Sequence, residues 1–146
     1  MRRRRFISRL FDTVPVLLTS LATVLLWVPW YRTGSTQRSA FRLASALRAA
    51  GLLMRTPAVI FVVAIALVPG LAATACFLWA IGFRRAGALA VTAVGALTAG
   101  CAIGVQRIGG AGVTQNVTIE AVIGLATVVG ALVHLHVAPA DRRGTP

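Results

Sequence analysis

The sequence contains no lysine and only three acidic residues, Asp12, Glu120 and Asp141. Charged residues make up 12% of the chain, about half the roughly 25% of an ordinary soluble domain. That scarcity excludes a soluble globular domain, and the richness in apolar residues excludes a disordered chain. Cysteine is nearly absent. Cys76 and Cys101 form no C-x-x-C pair, so neither a disulfide scaffold nor a thiol oxidoreductase of that type is supported. No cluster of His, Asp, Glu and Ser marks a reaction centre, and no cofactor-binding motif is present.

What is present is apolar. Of the 146 residues, 58% are hydrophobic, and the mean hydropathy is +0.83. A membrane helix needs about 20 mostly apolar residues. Four stretches qualify: 14–30, 58–82, 86–106 and 117–138. They are continuously apolar rather than alternating, which favours helices over barrel strands. The expected fold is all-α: a four-helix transmembrane bundle forming a single integral membrane domain over residues 1–146. Its connections are too short for a separate soluble domain.

Orientation follows from arginine. With a cytoplasmic N-terminus, Arg2, Arg3, Arg4, Arg5, Arg9, Arg84, Arg85, Arg142 and Arg143 lie inside. Arg32, Arg38, Arg42, Arg48, Arg55 and Arg107 then lie outside. Nine against six predicts cytoplasmic N- and C-termini in the plasma membrane. Trp27, Trp30 and Tyr31 are expected at one membrane interface, and Phe77, Trp79 and Phe83 at the other. The basic N-terminus loosely matches a twin-arginine signal. However, its apolar run ends in the bulky Trp27-Val28-Pro29-Trp30 rather than in small residues, so an uncleaved anchor is expected.

The first loop is polar from Arg32 to Arg38. It then shows helical periodicity over 39–54, with Leu43, Leu47, Ala50 and Met54 on one face. Ser39 is the expected N-cap, and Pro57 is expected to stop the segment. An amphipathic helix bearing arginine lies in the headgroup region. It either tucks the connection against the bilayer or recognises a partner. Arg38, Arg42 and Arg48 are the candidate contacts to membrane lipids or to an acidic partner surface. Nucleic acid is excluded as a partner: the net charge of +12 is divided between both membrane sides, and no nucleic-acid module is visible.

Pro29-Trp30-Tyr31-Arg32-Thr33-Gly34, followed by Arg38-Ser39-Ala40-Phe41, resembles a pattern in small four-span membrane proteins of actinobacteria. Those proteins carry P-W-(Y/F)-x-x-G after the first helix and R-S-x-F at the start of a short one. The Ala/Val/Arg-rich composition is similar too. The motif covers about a dozen residues, and the group has no assigned activity. The resemblance implies a plasma-membrane location.

Few polar residues enter the spans. Glu120 is the one acid inside a predicted span. It is either a proton site or a carboxylate in the outer headgroup layer near a helix N-terminus, with Arg107 as its expected partner. His134 and His136 are two apart, the wrong spacing for one helix to present both to a metal. Interfacial histidines and no bound metal are expected. Counted from the Arg84-Arg85 turn, Cys76 and Cys101 differ in depth by roughly 12 Å, so free thiols are expected. Pro69-Gly70 predicts a kink. Asn116-Val117-Thr118 matches a glycosylation sequon by chance. Ala88, Thr92, Ala96, Gly100 and Gly104 recur every four residues and end in G-x-x-x-G, which suits close helix packing. Ala126 and Gly130 offer a matching pattern. The seam lies within the bundle or faces another copy.

Three function classes follow. The first is a non-catalytic accessory or structural subunit of a membrane assembly, with a membrane-protein partner or its own copies. The second is a small oligomeric proton-coupled transporter using Glu120. Small multidrug transporters also have four helices, but their acid lies in the first, where this chain has none. The third is a lipid-modifying enzyme, for which Asp12, Glu120 and Asp141 are too dispersed. The first class is the expectation.

Overall fold

A computed structural model describes residues 2–51, 56–108 and 110–137. Met54, Arg55, Asp141, Arg142 and Arg143 lie outside the described residues. Five helices and one small sheet follow in order: α1 (Arg2–Leu25), β1 (Pro29–Thr33), β2 (Thr36–Ser39), α2 (Ala40–Ala49), α3 (Thr56–Ala80), α4 (Arg84–Ile108) and α5 (Gln115–Val137). A single 3-10 turn, Gly110–Gly112, joins α4 to α5.

Helices α3, α4 and α5 are long and apolar enough to cross a membrane. They match the expected spans to within about two residues, the usual spread of helix ends. Their best windows are only 33%, 44% and 33% buried. Most of their apolar surface therefore faces outward, as Ile60, Leu67, Val122 and Val129 do. A water-soluble fold rarely tolerates apolar patches of that size, whereas lipid accommodates them. Three such helices fit a multi-pass membrane protein.

The first expected span needs correction. Its helix stops at Leu25, and the chain turns into a strand at Pro29. The apolar part, Thr13–Leu25, rises about 20 Å, short of the roughly 30 Å hydrocarbon core. The fold is also not purely helical. β1 and β2 pair antiparallel, with Thr33 opposite Thr36. That leaves Gly34-Ser35 as a two-residue turn. Gly34 has φ 57° and, among the described residues, Ser35 included, no non-glycine residue has positive φ, which is the type II′ pattern with glycine first. Between Pro29 and Tyr31 the register slips by one residue, so Trp30 sits in a β-bulge. Bulges re-aim side chains, and this one directs Trp30 inward.

Trp30 accordingly leaves the expected interfacial belt. It is fully buried, and its indole N–H donates to the Leu25 carbonyl at 3.1 Å. Its ring meets Phe61 edge-on at 6.4 Å, and its carbonyl accepts from the Thr114 N–H at 3.1 Å. One residue thus joins the end of α1, the hairpin, α3 and the start of α5. Trp27, by contrast, is exposed and stacks on Phe41 at 4.7 Å. At the other belt, Phe77 and Phe83 are exposed while Trp79 is half-buried.

Helix α2 is shorter than the expected 39–54. Ser39 is its N-cap as anticipated, accepting from the Arg42 N–H at 3.5 Å. Gly51, not Pro57, ends it. With φ 68° Gly51 supplies the left-handed residue that closes helix C-termini, and its N–H donates to the Arg48 carbonyl. Pro57 instead lies in the first turn of α3, where a missing N–H costs nothing. Pro69 stands inside an uninterrupted α3. Cys76 and Cys101 are both free.

Candidate functional site

Two places concentrate the chemistry: the basic hairpin–α2 unit and the buried Glu120. The hairpin is fastened to the α4–α5 connection. The Pro29 carbonyl accepts from the Thr114 hydroxyl at 2.6 Å and from the Asn116 amide at 2.8 Å. Tyr31 bridges Val113, and its ring lies so close to Gly112 that a Cβ there would stand 2.6 Å from it. Asn116 thus has a structural task, unforeseen when it was only part of a sequon.

This unit displays arginine. Arg42 and Arg48 are exposed on α2, and Arg38 is half-buried on β2. The Arg32 Nε donates to the Gly34 carbonyl across the turn at 3.1 Å. The inner face of α2 is Ala40 and Ala44, both buried. Phe41, Ala44, Ser45 and Arg48 border a small groove against Val62, Ile65 and Ala66 of α3. Leu43 and Leu47 are half-buried, Ala50 is exposed and Met54 lies outside the described residues. Small alanines rather than the leucines make the closest approach, so the buried face is rotated from the one expected.

Glu120 turns into the interior of the protein. It is 0% exposed. As the sixth residue of α5 it lies about 7.5 Å into the helix, on an inner face shared with Val117, Ala121, Gly124, Thr127 and Ala131. Both carboxyl oxygens are buried without a hydrogen-bond partner, so the expected pairing with Arg107 is not made. Arg107 is exposed. Cys101 of α4 is near enough to interact with Glu120 electrostatically. Three buried threonines are satisfied locally. Thr19, Thr98 and Thr127 each donate to a carbonyl of their own helix, Pro15, Gly95 and Ile123, at 2.8, 3.2 and 2.7 Å. An unsatisfied carboxyl is costly in such an interior.

The small-residue stripe divides. Ala88 is buried and Thr92 half-buried, but Ala96 and Gly100 are exposed and Gly104 is half-buried. A Cβ at Gly100 or Gly104 would meet nothing within 4 Å. The tight seam between α4 and α5 runs instead through Gly95 and Gly124. A Cβ on Gly95 would stand 2.7 Å from the Gly124 carbonyl, and one on Gly124 2.8 Å from the Ala99 nitrogen. Gly130 of the anticipated matching pattern faces Leu18 of α1 at 3.9 Å. Ala96, Gly100 and Gly104 form the floor of an open apolar groove of about 620 Å³ between α3 and α4.

At the far end of the body His134 stacks on Trp79 at 4.7 Å, while His136 is exposed. Among the described residues, no three His, Cys, Asp or Glu side chains gather as a metal site. No protein-family model, curated protein or solved structure matches the chain.

Proposed function

We propose that this chain is a non-catalytic accessory or structural subunit of a membrane assembly, working by docking rather than chemistry. The observation that carries the proposal is the fastened hairpin–α2 unit. Two hydrogen bonds to the Pro29 carbonyl and the buried Trp30 hold it in place, so Arg42 and Arg48 are displayed on a fixed frame. Pre-organised arginine loses less entropy when it pairs with an acidic surface. The setting is the plasma membrane, with α1 as a fourth crossing and both termini cytoplasmic, in keeping with the likeness to the small actinobacterial membrane proteins.

Purification in mild detergent with intact-complex mass measurement tests this. A foreign subunit at fixed stoichiometry, lost from the Arg42→Glu/Arg48→Glu variant while chain levels hold, is the expected result. Wild-type and variant chains that both run as lone monomers or as the same homo-oligomer would overturn it.

One observation favours a second reading, proton-coupled transport. An ionisable group buried within a membrane helix is costly and marks function by default, and Glu120 is such a group. If it carries protons, Glu120→Gln abolishes a pH-dependent phenotype at unchanged membrane levels. An unaltered phenotype removes transport through Glu120.

A further inference from the structure

We infer that the groove between α3 and α4 is a binding site for one anionic phospholipid, with an acyl chain lying over Ala96, Gly100 and Gly104 and the phosphate held at the mouth beside Arg107. The site borrows Tyr31, Leu43 and Leu47 from the docking frame proposed above but none of its arginines. Its volume of about 620 Å³ lies within the range of small-molecule sites, about 300–1,000 Å³. Its walls are apolar: Leu43 and Leu47 from α2 and Phe61 and Ala64 from α3. The floor is smooth because glycine at 100 and 104 leaves no side chain to fill the space. From Ile108 at the mouth to Ala96 at the inner end, α4 rises about 18 Å. That is close to the roughly 15 Å of one leaflet's hydrocarbon, so the groove has the length of a chain from a single leaflet.

Charge sets the headgroup. The mouth is formed by Tyr31, Pro57 and Ile108, and three features there suit a phosphate. Arg107 does not line the groove, but it adjoins Ile108, is exposed and follows Gly100 and Gly104 by seven and three residues, the spacing of one helix face. The first turn of α3 opens at the mouth with no acidic residue in it, so its dipole end adds positive potential there. The Tyr31 ring brings a phenol to the same rim. No acid competes for Arg107 from the neighbouring span, because Glu120 is sealed inside. The stripe that promised a helix–helix seam is thus left open at the end of the body where a headgroup would lie.

The test uses the full chain reconstituted in vesicles of equal phosphatidylglycerol and phosphatidylcholine, released gently and weighed intact. A single retained phosphatidylglycerol is expected. One arginine near a lipid surface is worth about a five-fold preference over phosphatidylcholine. Arg107→Gln should erase that preference while a lipid is still retained. Gly100→Leu, and independently Ala96→Leu, should fill the groove and abolish retention of both lipids. Neither strains the fold, since Ala96 is exposed and Gly100 has no neighbour to clash with. Gly70→Leu, on the open face of α3, should behave as wild type. Retention by both groove variants at the wild-type level would overturn the site. A lipid-free wild-type dimer that Gly100→Leu splits would overturn it too, assigning the groove to a second copy. An undiminished preference in Arg107→Gln would overturn the phosphate contact.

Discussion

At the scale of single residues, Glu120 is a conspicuously uncomfortable group among the described residues. Both carboxyl oxygens are removed from solvent and neither accepts a hydrogen bond. Its neighbours on the inner face of α5, Val117 and Ala121, belong to the apolar core. Leaving a buried polar group unsatisfied costs about 1–3 kcal/mol, and exchanging it for an apolar group of similar shape removes that cost. Glu120→Met should therefore raise the thermal unfolding midpoint in detergent. A lowered midpoint would mean that the carboxyl is engaged in the folded protein, contrary to its position here.

At the scale of elements, the α4–α5 seam and the open groove use two different stripes of the same helix. α4 is so rich in Ala and Gly that Gly87, Val91, Gly95 and Ala99 form one line at four-residue spacing, and Ala88, Thr92, Ala96, Gly100 and Gly104 another. Spacing alone cannot choose between adjacent lines. Contact with α5 does, because only the first meets a glycine on the facing helix, at Gly124. Gly95→Ala should then cost about 1–3 kcal/mol through overpacking, since the nearest atom to the added methyl is the Gly124 backbone carbonyl, with Thr127 and Val128 close behind it. Gly100→Ala should be neutral or gain up to about 1 kcal/mol in helix propensity. Thermal unfolding of the two variants side by side checks this, and equal effects would contradict the assigned seam. The hairpin was more legible than the seam. Tyr31-Arg32-Thr33 and Thr36-Gln37-Arg38 flank Gly34-Ser35, a two-residue hairpin signal, which the strong apolar run ending at Trp30 masked. The three long spans were plain, because length and hydropathy suffice for them. The burial of Glu120 was not, because it depends on which face of α5 turns inward, and on a hairpin closing over the α4–α5 connection.

At the scale of the whole molecule, the question is whether α1 counts as a crossing. Its apolar part is short, yet its neighbours fix its depth. Leu18 lies against Gly130 of α5, and the Trp30 carbonyl just beyond α1 accepts from Thr114 just before α5. Helix α1 therefore runs antiparallel to α5 and matches most of its rise. Pro15, Thr19, Ala22 and Leu26 face inward at spacings of four, three and four residues, while Leu17, Leu21 and Val24 face outward. An outward apolar face at the depth of a membrane-spanning neighbour is a lipid-facing one. The arginine-bearing start of α1 extends toward the end of the body where α5 finishes. The chain should thus cross four times, with both termini on one side. The positive-inside bias predicts that this side is the cytoplasm. Reporter fusions active only in the cytoplasm should give signal at both the N- and C-terminus, and a fusion after Gly110, in the α4–α5 connection, should be silent. Signal from one terminus alone would mean three crossings, and α1 would then lie along one face of the bilayer, despite its packing against α5.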